Sequence, residues 1–179
     1  RPTRDIDLLG VFEADEATLA EIIREVCDQI VDEDGVQFDP TSVRVETIRE
    51  QAAYGGLRCH FVAKLGSAKL PIQLDVGFGD DVTPYPIKVE IPRLLEDEVR
   101  REMRAYPPAT VIAEKFEAIV RLGLANSRMK DYLDLDHLLQ QGAEDKAILM
   151  QAIKRTFKRR RTPLPSSLPI GLTEAFWND

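Results

Sequence analysis

Hydrophobic and polar residues alternate along short stretches in the first half of the chain, which is the period of half-buried strands. Such runs lie at residues 43–48, 57–64, 71–79 and 87–91. A first short strand is predicted at residues 4–10. Gly55-Gly56 and Gly66-Ser67 are placed to turn the chain between the central runs. Residues 15–32 instead repeat apolar side chains at helical spacing, which predicts an amphipathic helix.

The second half of the chain changes to helical spacing. Helices are predicted at residues 94–103, 111–124, 131–141 and 144–160, and a last short helix ends in Phe176-Trp177. Pro163, Pro165 and Pro169 predict an extended segment before that helix, because proline lacks a backbone N–H. A strand-rich first half and a helical second half predict an α+β protein, which we divide into residues 1–92 and residues 93–179.

Composition is that of a globular protein without a membrane span. The chain has 179 residues, of which 44% are hydrophobic and 31% charged, enough for a sizeable core. It contains no run of about 18 apolar residues and no basic-then-apolar leader, so we expect a cytoplasmic protein. Cys27 and Cys59 are expected to be buried, reduced thiols. His60 and His137 lack Cys or His neighbours at ligand spacing, which argues against a zinc site.

Two aspartates alternate on the first predicted strand. In an extended chain Asp5 and Asp7 point to one face, whereas Ile6 and Leu8 point to the other. Paired carboxylates repel each other unless a cation lies between them, and Mg²⁺ is commonly held by one or two carboxylates together with substrate phosphates. The pair therefore indicates metal-assisted phosphoryl or nucleotidyl transfer. The alternative is a solvated strand end that carries two acids.

A third aspartate lies on the predicted strand at residues 71–79. Apolar residues alternate there with polar or small ones, and Asp75 falls on the polar side. If this strand is the neighbour of the first, about 4.8 Å away, Asp75 joins Asp5 and Asp7 around one or two metal ions. The alternative is an edge-strand acid that prevents sheets from associating.

Further candidates lie on the predicted helices of the second half. Lys115 lies beside the apolar stripe of its helix, where a lysine either extends along its own stem to water or reaches a phosphate as a point charge. Asp131 and Asp134 are three residues apart and share one helix face. Acids in a first helical turn also stabilise the positive end of the helix dipole, so a functional and a purely local interpretation both stay open.

Charge is unevenly distributed along the chain. The formal net charge of -7 argues against a protein that coats nucleic acid with its whole surface. A basic run near the C-terminus nevertheless concentrates cationic side chains: Lys154, Arg155, Lys158, Arg159, Arg160 and Arg161. This basic run is either a contact for RNA phosphates or a solvated helix end that complements its own dipole.

Four motifs in this order resemble the AbiEii/AbiGii-type toxin family, which belongs to the polymerase-β-like nucleotidyltransferase superfamily. They are Asp-Ile-Asp at residues 5–7, Ile-Gln-Leu-Asp-Val at 72–76, Ala-Glu-Lys at 113–115 and Lys-Asp-Tyr-Leu-Asp at 130–134. The tail at residues 162–172 is also similar to the C-terminal segment of that family, so the resemblance spans nearly the whole chain.

The resemblance implies a polymerase-β-like nucleotidyltransferase sheet with a helical C-terminal half. It implies Mg²⁺-dependent transfer of a nucleotide from a nucleoside triphosphate to an acceptor such as RNA. It also implies the toxin of a toxin–antitoxin or phage-defence pair, with a cognate antitoxin as partner. By position, the metal-binding acids match Asp5, Asp7 and Asp75, the triphosphate contact matches Lys115, and the acids of the nucleotide-binding fourth motif match Asp131 and Asp134.

One part of the family pattern is missing from the sequence given. The family places a glycine-rich turn and a helix just before its Asp-x-Asp strand, where backbone donors hold the triphosphate. The sequence begins only four residues before Asp5. We therefore expect a preceding segment, and we expect residues 1–179 by themselves to be inactive in transfer.

Other classes of protein also fit parts of this pattern. The main alternative is a non-catalytic module that keeps the fold and binds RNA or a protein. Phosphatases of the haloacid-dehalogenase type also use Asp-x-Asp, but at the end of a buried apolar strand followed by a threonine, which residues 2–9 do not match. Glycosyltransferase Asp-x-Asp sites are less consistent with a third carboxylate and a lysine-bearing helix.

Overall fold

A sheet of four strands and one helix make up the first of two units in the chain. In the computed structural model, residues 1–80 form this unit and residues 81–179 form the second. The structure describes residues 6–29, 35–48, 55–91, 100–142 and 145–177, with side-chain detail up to residue 176.

The strands of the first unit form one mixed sheet. They are β1 (Ile6–Gly10), β2 (Val36–Ile48), β3 (Gly56–Leu65) and β4 (Ala68–Phe78). Their order across the sheet is β1-β4-β3-β2, with β1 parallel to β4 and the other neighbours antiparallel. The first strand and the strand that carries Asp75 are therefore direct neighbours, as the predicted metal site requires.

Helix α1 (Glu16–Cys27) packs against one face of this sheet. Its N-terminus is capped by Asp15, whose Oδ2 accepts a hydrogen bond from Thr18 N at 2.7 Å. Helical spacing on α1 and alternation along the strands direct apolar side chains into one core. This core consists of Leu19, Ala20, Ile23, Val43, Leu57, Cys59, Leu74 and Val76. The polar residues of the same strands consequently lie on the face opposite α1.

Strand β2 starts earlier than the strand predicted at residues 43–48. Its pairing with β3 contains a register shift between Asp39 and Arg44. Within the shift, Ser42 Oγ donates to the carbonyl of Asp39 at 2.6 Å and accepts from Val62 N at 2.9 Å. A side-chain hydroxyl thus replaces a backbone partner, and the irregularity interrupts the alternation on which the prediction depends.

In the second unit a two-stranded ribbon precedes a group of helices. Strands β5 (Ile87–Glu90) and β6 (Glu102–Ala105) pair antiparallel. The helices are α2 (Pro108–Leu122), α3 (Met129–Gln140), α4 (Lys146–Arg159) and α5 (Glu174–Trp177), with 3-10 turns at Gly123–Ala125 and Ile170–Leu172. Across the described ranges, no helix has the length and hydropathy needed to cross a membrane.

Two residues set the limits of α2. Pro108 occupies the first helical position, where a missing N–H is tolerated and φ is already helical. Gly123 ends the helix with a φ of 53°, in the left-handed region that favours glycine. The helix therefore begins before the start predicted at residue 111, because the prediction did not use proline as a start signal.

The α+β class is confirmed, and most predicted elements are present. Helices predicted at residues 111–124, 131–141 and 144–160 correspond to α2, α3 and α4 with small changes at their ends. The helix predicted at residues 94–103 is wrong at its end, because Met103 pairs with Val89 in the β5–β6 ribbon. Residues 92–99 lie outside the described residues, and the predicted boundary between residues 92 and 93 stays a prediction.

Candidate active site

Four charged side chains form a row across the face of the sheet opposite α1. The register pairs Asp7 with Asp75, Asp75 with Arg58, and Arg58 with Glu46. Side chains at directly paired positions lie on the same face of a sheet. The row therefore crosses from β1 to β2 and contains three acids and one arginine.

Strands β1 and β4 bring two of the predicted metal ligands together. Asp7 and Asp75 are paired directly on strands that lie about 4.8 Å apart, so their two negative charges are neighbours. Asp5 lies outside the described residues, and its expected place beside this pair stays a prediction. Among the residues that the structure describes, no group of three His, Cys, Asp or Glu side chains is arranged to hold a metal ion.

Arg58 binds Asp75 through two hydrogen bonds. Arg58 Nε donates to Asp75 Oδ1 at 2.8 Å, and Nη2 donates to Oδ2 at 2.6 Å. Gln73 Nε2 also donates to Oδ1, at 3.3 Å. The hydrogen bonds from Arg58 lower the pKa of Asp75 below its ordinary value, against the opposing effect of partial burial. Asp75 is consequently an ionised, firmly oriented carboxylate at neutral pH.

The oxygen atoms on this face are of the kind that a divalent cation binds. Carboxylate oxygens are hard ligands suited to Mg²⁺ or Mn²⁺. A carboxylate offers about four lone-pair sites, and the bonds from Arg58 and Gln73 leave one of them on Asp75 Oδ2. The guanidinium of Arg58 itself shows that this position attracts positive charge. Asp7 and Asp75 are therefore chemically compatible with a shared cation.

The other predicted site residues lie in the second unit, where α3 contributes two acids to a lysine of α2. Lys115 Nζ lies 2.7 Å from Asp131 Oδ1 and 3.0 Å from Asp134 Oδ2. The three-residue spacing on α3 places both carboxylates on the face that meets this lysine. The Lys115 side chain is only 21% exposed. Its ammonium group is held between two carboxylates and does not simply extend along its stem into water.

Burial and hydrogen bonding have opposite effects on the pKa of Lys115. Burial alone would lower the pKa of Lys115, but the hydrogen bonds to Asp131 and Asp134 outweigh burial and raise that pKa above its ordinary value. Asp131 is almost fully buried, and its Oδ2 lies 2.9 Å from Arg128 Nε without making a hydrogen bond. The result is a permanently charged lysine in a fixed position, which is a suitable point charge for a phosphate group.

The residues of the basic run have different surroundings. Arg160 Nη1 lies 3.1 Å from Glu117 Oε2, and its Nη2 lies 3.4 Å from Glu114 Oε1. Arg155 Nη1 lies 3.5 Å from Asp81 Oδ1. The remaining members are exposed: Lys154, Lys158, Arg159 and Arg161. Arg160 therefore contributes to packing between the end of α4 and α2, whereas the others are at the surface.

The sequence analysis missed two charged residues. Glu117 on α2 is completely buried and accepts hydrogen bonds from Arg121, Arg160 and Thr162. The local sequence does not indicate this burial, because Glu114 and Arg121 lie on the same side of the helix. Arg58 had a signal in the sequence. A two-residue turn at Gly66-Ser67 pairs Leu65 with Ala68, and counting back along both strands then pairs Arg58 with Asp75.

The sheet of the first unit thus carries paired carboxylates, and the helices of the second unit carry a lysine in a fixed position. The sequence model of one known family, described as "Nucleotidyl transferase AbiEii toxin, Type IV TA system", matches residues 1–177. The chain belongs to this family of toxins from type IV toxin–antitoxin systems, which implies a cognate antitoxin. A search of curated proteins and a search of solved structures found no match.

Proposed function

We propose that this toxin transfers a nucleotide from a nucleoside triphosphate to an acceptor such as RNA in a Mg²⁺-dependent reaction. The observation that supports the proposal most strongly is the direct pairing of Asp7 with Asp75 on one face of the sheet. Displacement at a phosphorus atom depends on fixed alignment of the reactants and on stabilisation of charge on the phosphate oxygens. Neighbouring carboxylates place a divalent cation where it meets both needs.

We expect the cation to be held by Asp7 and Asp75 together with Asp5. When bound, Mg²⁺ supplies positive charge to the triphosphate and orients its oxygens. The contribution of the chain is a rigid arrangement of ligands. Strands β1 and β4 are hydrogen bonded to each other, which fixes the spacing of the two carboxylates, and Arg58 restrains the Asp75 side chain.

Lys115 is assigned to the triphosphate as a fixed positive charge. An ammonium group has three N–H donors, and the bonds to Asp131 and Asp134 leave one of them for a phosphate oxygen. The two carboxylates keep Lys115 protonated and hold its side chain in one position. In this proposal Asp131 and Asp134 belong to the nucleotide-binding site as positioning residues for Lys115.

The exposed part of the basic run is the proposed contact for an RNA acceptor. Exposed cations attract the phosphate backbone of RNA through electrostatics that do not depend on sequence. Arg160 is not part of this proposed contact, because Glu114 and Glu117 already bind its guanidinium. The proposed contact therefore consists of Lys154, Arg155, Lys158, Arg159 and Arg161.

The alternative is a non-catalytic module with the same fold, and nucleotide titration distinguishes the two. Isothermal titration with each nucleoside triphosphate, with and without Mg²⁺, should show Mg²⁺-dependent binding by the wild-type protein. Asp7→Asn and Asp75→Asn should weaken this binding by about tenfold or more. Glu25→Gln removes an exposed charge from α1, on the other side of the sheet, and should leave binding unchanged. Equal binding by all variants would favour the non-catalytic module.

A further inference from the structure

Arg58 binds one of the proposed metal ligands, Asp75, directly. It lies on β3 and is the antiparallel register partner of Asp75 on β4. Its planar guanidinium forms two parallel hydrogen bonds to the carboxylate, at 2.8 and 2.6 Å. The Arg58 side chain is 31% exposed and that of Asp75 is 16% exposed. The pair is thus only partly screened by water.

We propose that Arg58 is a positioning residue for the divalent cation, with two effects on Asp75. It fixes the carboxylate in one orientation, and its positive charge makes tight binding of the cation depend on the triphosphate. This inference rests on the proposed function, because it takes Asp75 to be a ligand of the cation.

The orientation of Asp75 follows from the number of donors around its carboxylate. Oδ1 accepts from both Arg58 Nε and Gln73 Nε2, whereas Oδ2 accepts from Arg58 Nη2. A bidentate arginine permits little rotation of the carboxylate plane. The remaining lone pair of Oδ2 therefore points in a defined direction and is available to a cation.

The affinity for the cation should depend on the nucleotide because of the charges at the site. A guanidinium bound to a metal ligand repels a divalent cation that approaches the same carboxylate. Over the few ångströms involved, and with partial screening by water, this repulsion corresponds to a change in affinity of about three- to tenfold. A triphosphate carries several negative charges and offsets the repulsion. The cation should consequently bind weakly by itself and more tightly with the nucleotide.

Binding of Mn²⁺ to the full chain, measured by electron paramagnetic resonance, tests this inference without relying on activity. The dissociation constant is measured with and without a nucleoside triphosphate analogue that cannot be cleaved. Arg58→Gln should tighten nucleotide-free Mn²⁺ binding about three- to tenfold and reduce the gain that the analogue provides. Arg58→Lys keeps the charge, so its nucleotide-free affinity should stay within about twofold of the wild type.

A matched control is available on the same sheet. Arg44 on β2 is exposed and donates to the carbonyls of Thr41 and Val43. Arg44→Gln removes the same charge without touching Asp75 and should leave Mn²⁺ binding unchanged. If Arg58→Gln does not fold, Arg58→Lys still tests the orienting effect, because loss of the bidentate contact should slow nucleotide transfer by the full-length gene product at unchanged Mn²⁺ affinity. Wild-type transfer by a folded Arg58→Lys variant would overturn that effect.

Asp75→Asn separates failure of this inference from failure of the proposed function. If Asp75→Asn leaves Mn²⁺ affinity unchanged, Asp75 is not a ligand and the proposed metal site itself is wrong. If Asp75→Asn weakens Mn²⁺ binding but Arg58→Gln does not tighten it, the proposed site stands and the role of Arg58 is overturned. A folded Arg58→Gln variant that loses thermal stability with unchanged Mn²⁺ binding would show a purely structural salt bridge.

Discussion

Asp7 and Asp75 are register partners on the parallel strands β1 and β4, and both lie on the sheet face opposite α1. Their surroundings differ. Asp75 is bound to Arg58 and largely buried, whereas Asp7 is exposed on β1, at the edge of the described sheet. Adjacent negative charges destabilise each other unless a cation neutralises them. The same two residues should therefore contribute in opposite ways to the stability of the metal-free protein.

Replacing each of these aspartates by asparagine should separate the two contributions. Asp7→Asn removes repulsion, so the free energy of unfolding without metal should stay level or rise. Asp75→Asn leaves Arg58 without its carboxylate and should lower that free energy by about 1.5–3 kcal/mol, the usual value of a hydrogen bond to a charged group. Urea unfolding in the presence of a chelator measures both. Equal losses for the two variants would mean that both acids are structural.

The effect of Asp75 should also depend on pH. Its pKa is lower in the folded protein, chiefly through the hydrogen bonds from Arg58. The stabilisation is therefore complete above the unfolded-state pKa and is lost as the pH falls through the folded-state pKa. The stability difference between wild type and Asp75→Asn should be constant near neutral pH and shrink in acid. A difference that grows on acidification would contradict the assignment.

Lys115→Met tests the ion cluster of α2 and α3. Methionine keeps most of the packing but leaves the buried Asp131 carboxylate without its lysine, so we expect a loss of about 3 kcal/mol in the free energy of unfolding. The double variant Lys115→Met with Asp131→Asn should recover part of this loss, because no buried charge is then left unpaired. Urea unfolding of the single and double variants measures the coupling. A single variant as stable as wild type would show that the lysine is effectively solvated.

Glu117 should be among the most sensitive acids of the second unit. It is completely buried and accepts from Arg121, Arg160 and Thr162, so Glu117→Gln should cost about 3 kcal/mol or more in thermal or urea unfolding. Glu114→Gln is the control, since Glu114 shares Arg160 but is 22% exposed. It should cost clearly less than Glu117→Gln, because water still reaches the Glu114 carboxylate. Similar losses for both variants would contradict the importance of burial.

The basic run should divide into a part that binds RNA and a part that stabilises the fold. Replacing Lys154, Lys158 and Arg159 by glutamine should flatten the salt dependence of RNA binding, because fewer counterions are released. Arg160→Gln should instead lower the melting temperature and leave the salt dependence nearly intact. Filter binding at several salt concentrations measures the slope. An unchanged slope in the triple variant would identify the run as an ordinary solvated helix end.

Local sequence patterns predicted the elements that have a regular period. The alternation around Asp75 and the apolar spacing on α1 were sufficient, because each element packs one regular face onto a core. β2 was too short in the prediction, because Ser42 replaces a backbone partner at its irregularity. β6 was missed because the prediction continued a helix through Met103, whereas pairing with β5 decides the conformation of these residues.

The candidate site was predicted only in part. The motif spacing identified Asp7, Asp75 and Lys115, and the structure pairs the two acids and gives the lysine its two partners on α3. The contacts that Arg58 and Glu117 make with side chains on other elements were not predicted. The bonds of Arg58 to Asp75 depend on strand register, and those of Glu117 depend on how α2 meets the end of α4.

Transfer of radiolabel from an α-phosphate-labelled nucleoside triphosphate to total RNA tests nucleotidyl transfer most directly. With the full-length gene product and Mg²⁺, we expect labelled RNA with the wild type and with the Glu25→Gln control. Asp7→Asn and Asp75→Asn should each reduce labelling by about 100-fold or more, and a chelator should abolish it. Undiminished labelling by both folded Asn variants, or labelling that persists in the chelator, would contradict a metal site built on Asp7 and Asp75.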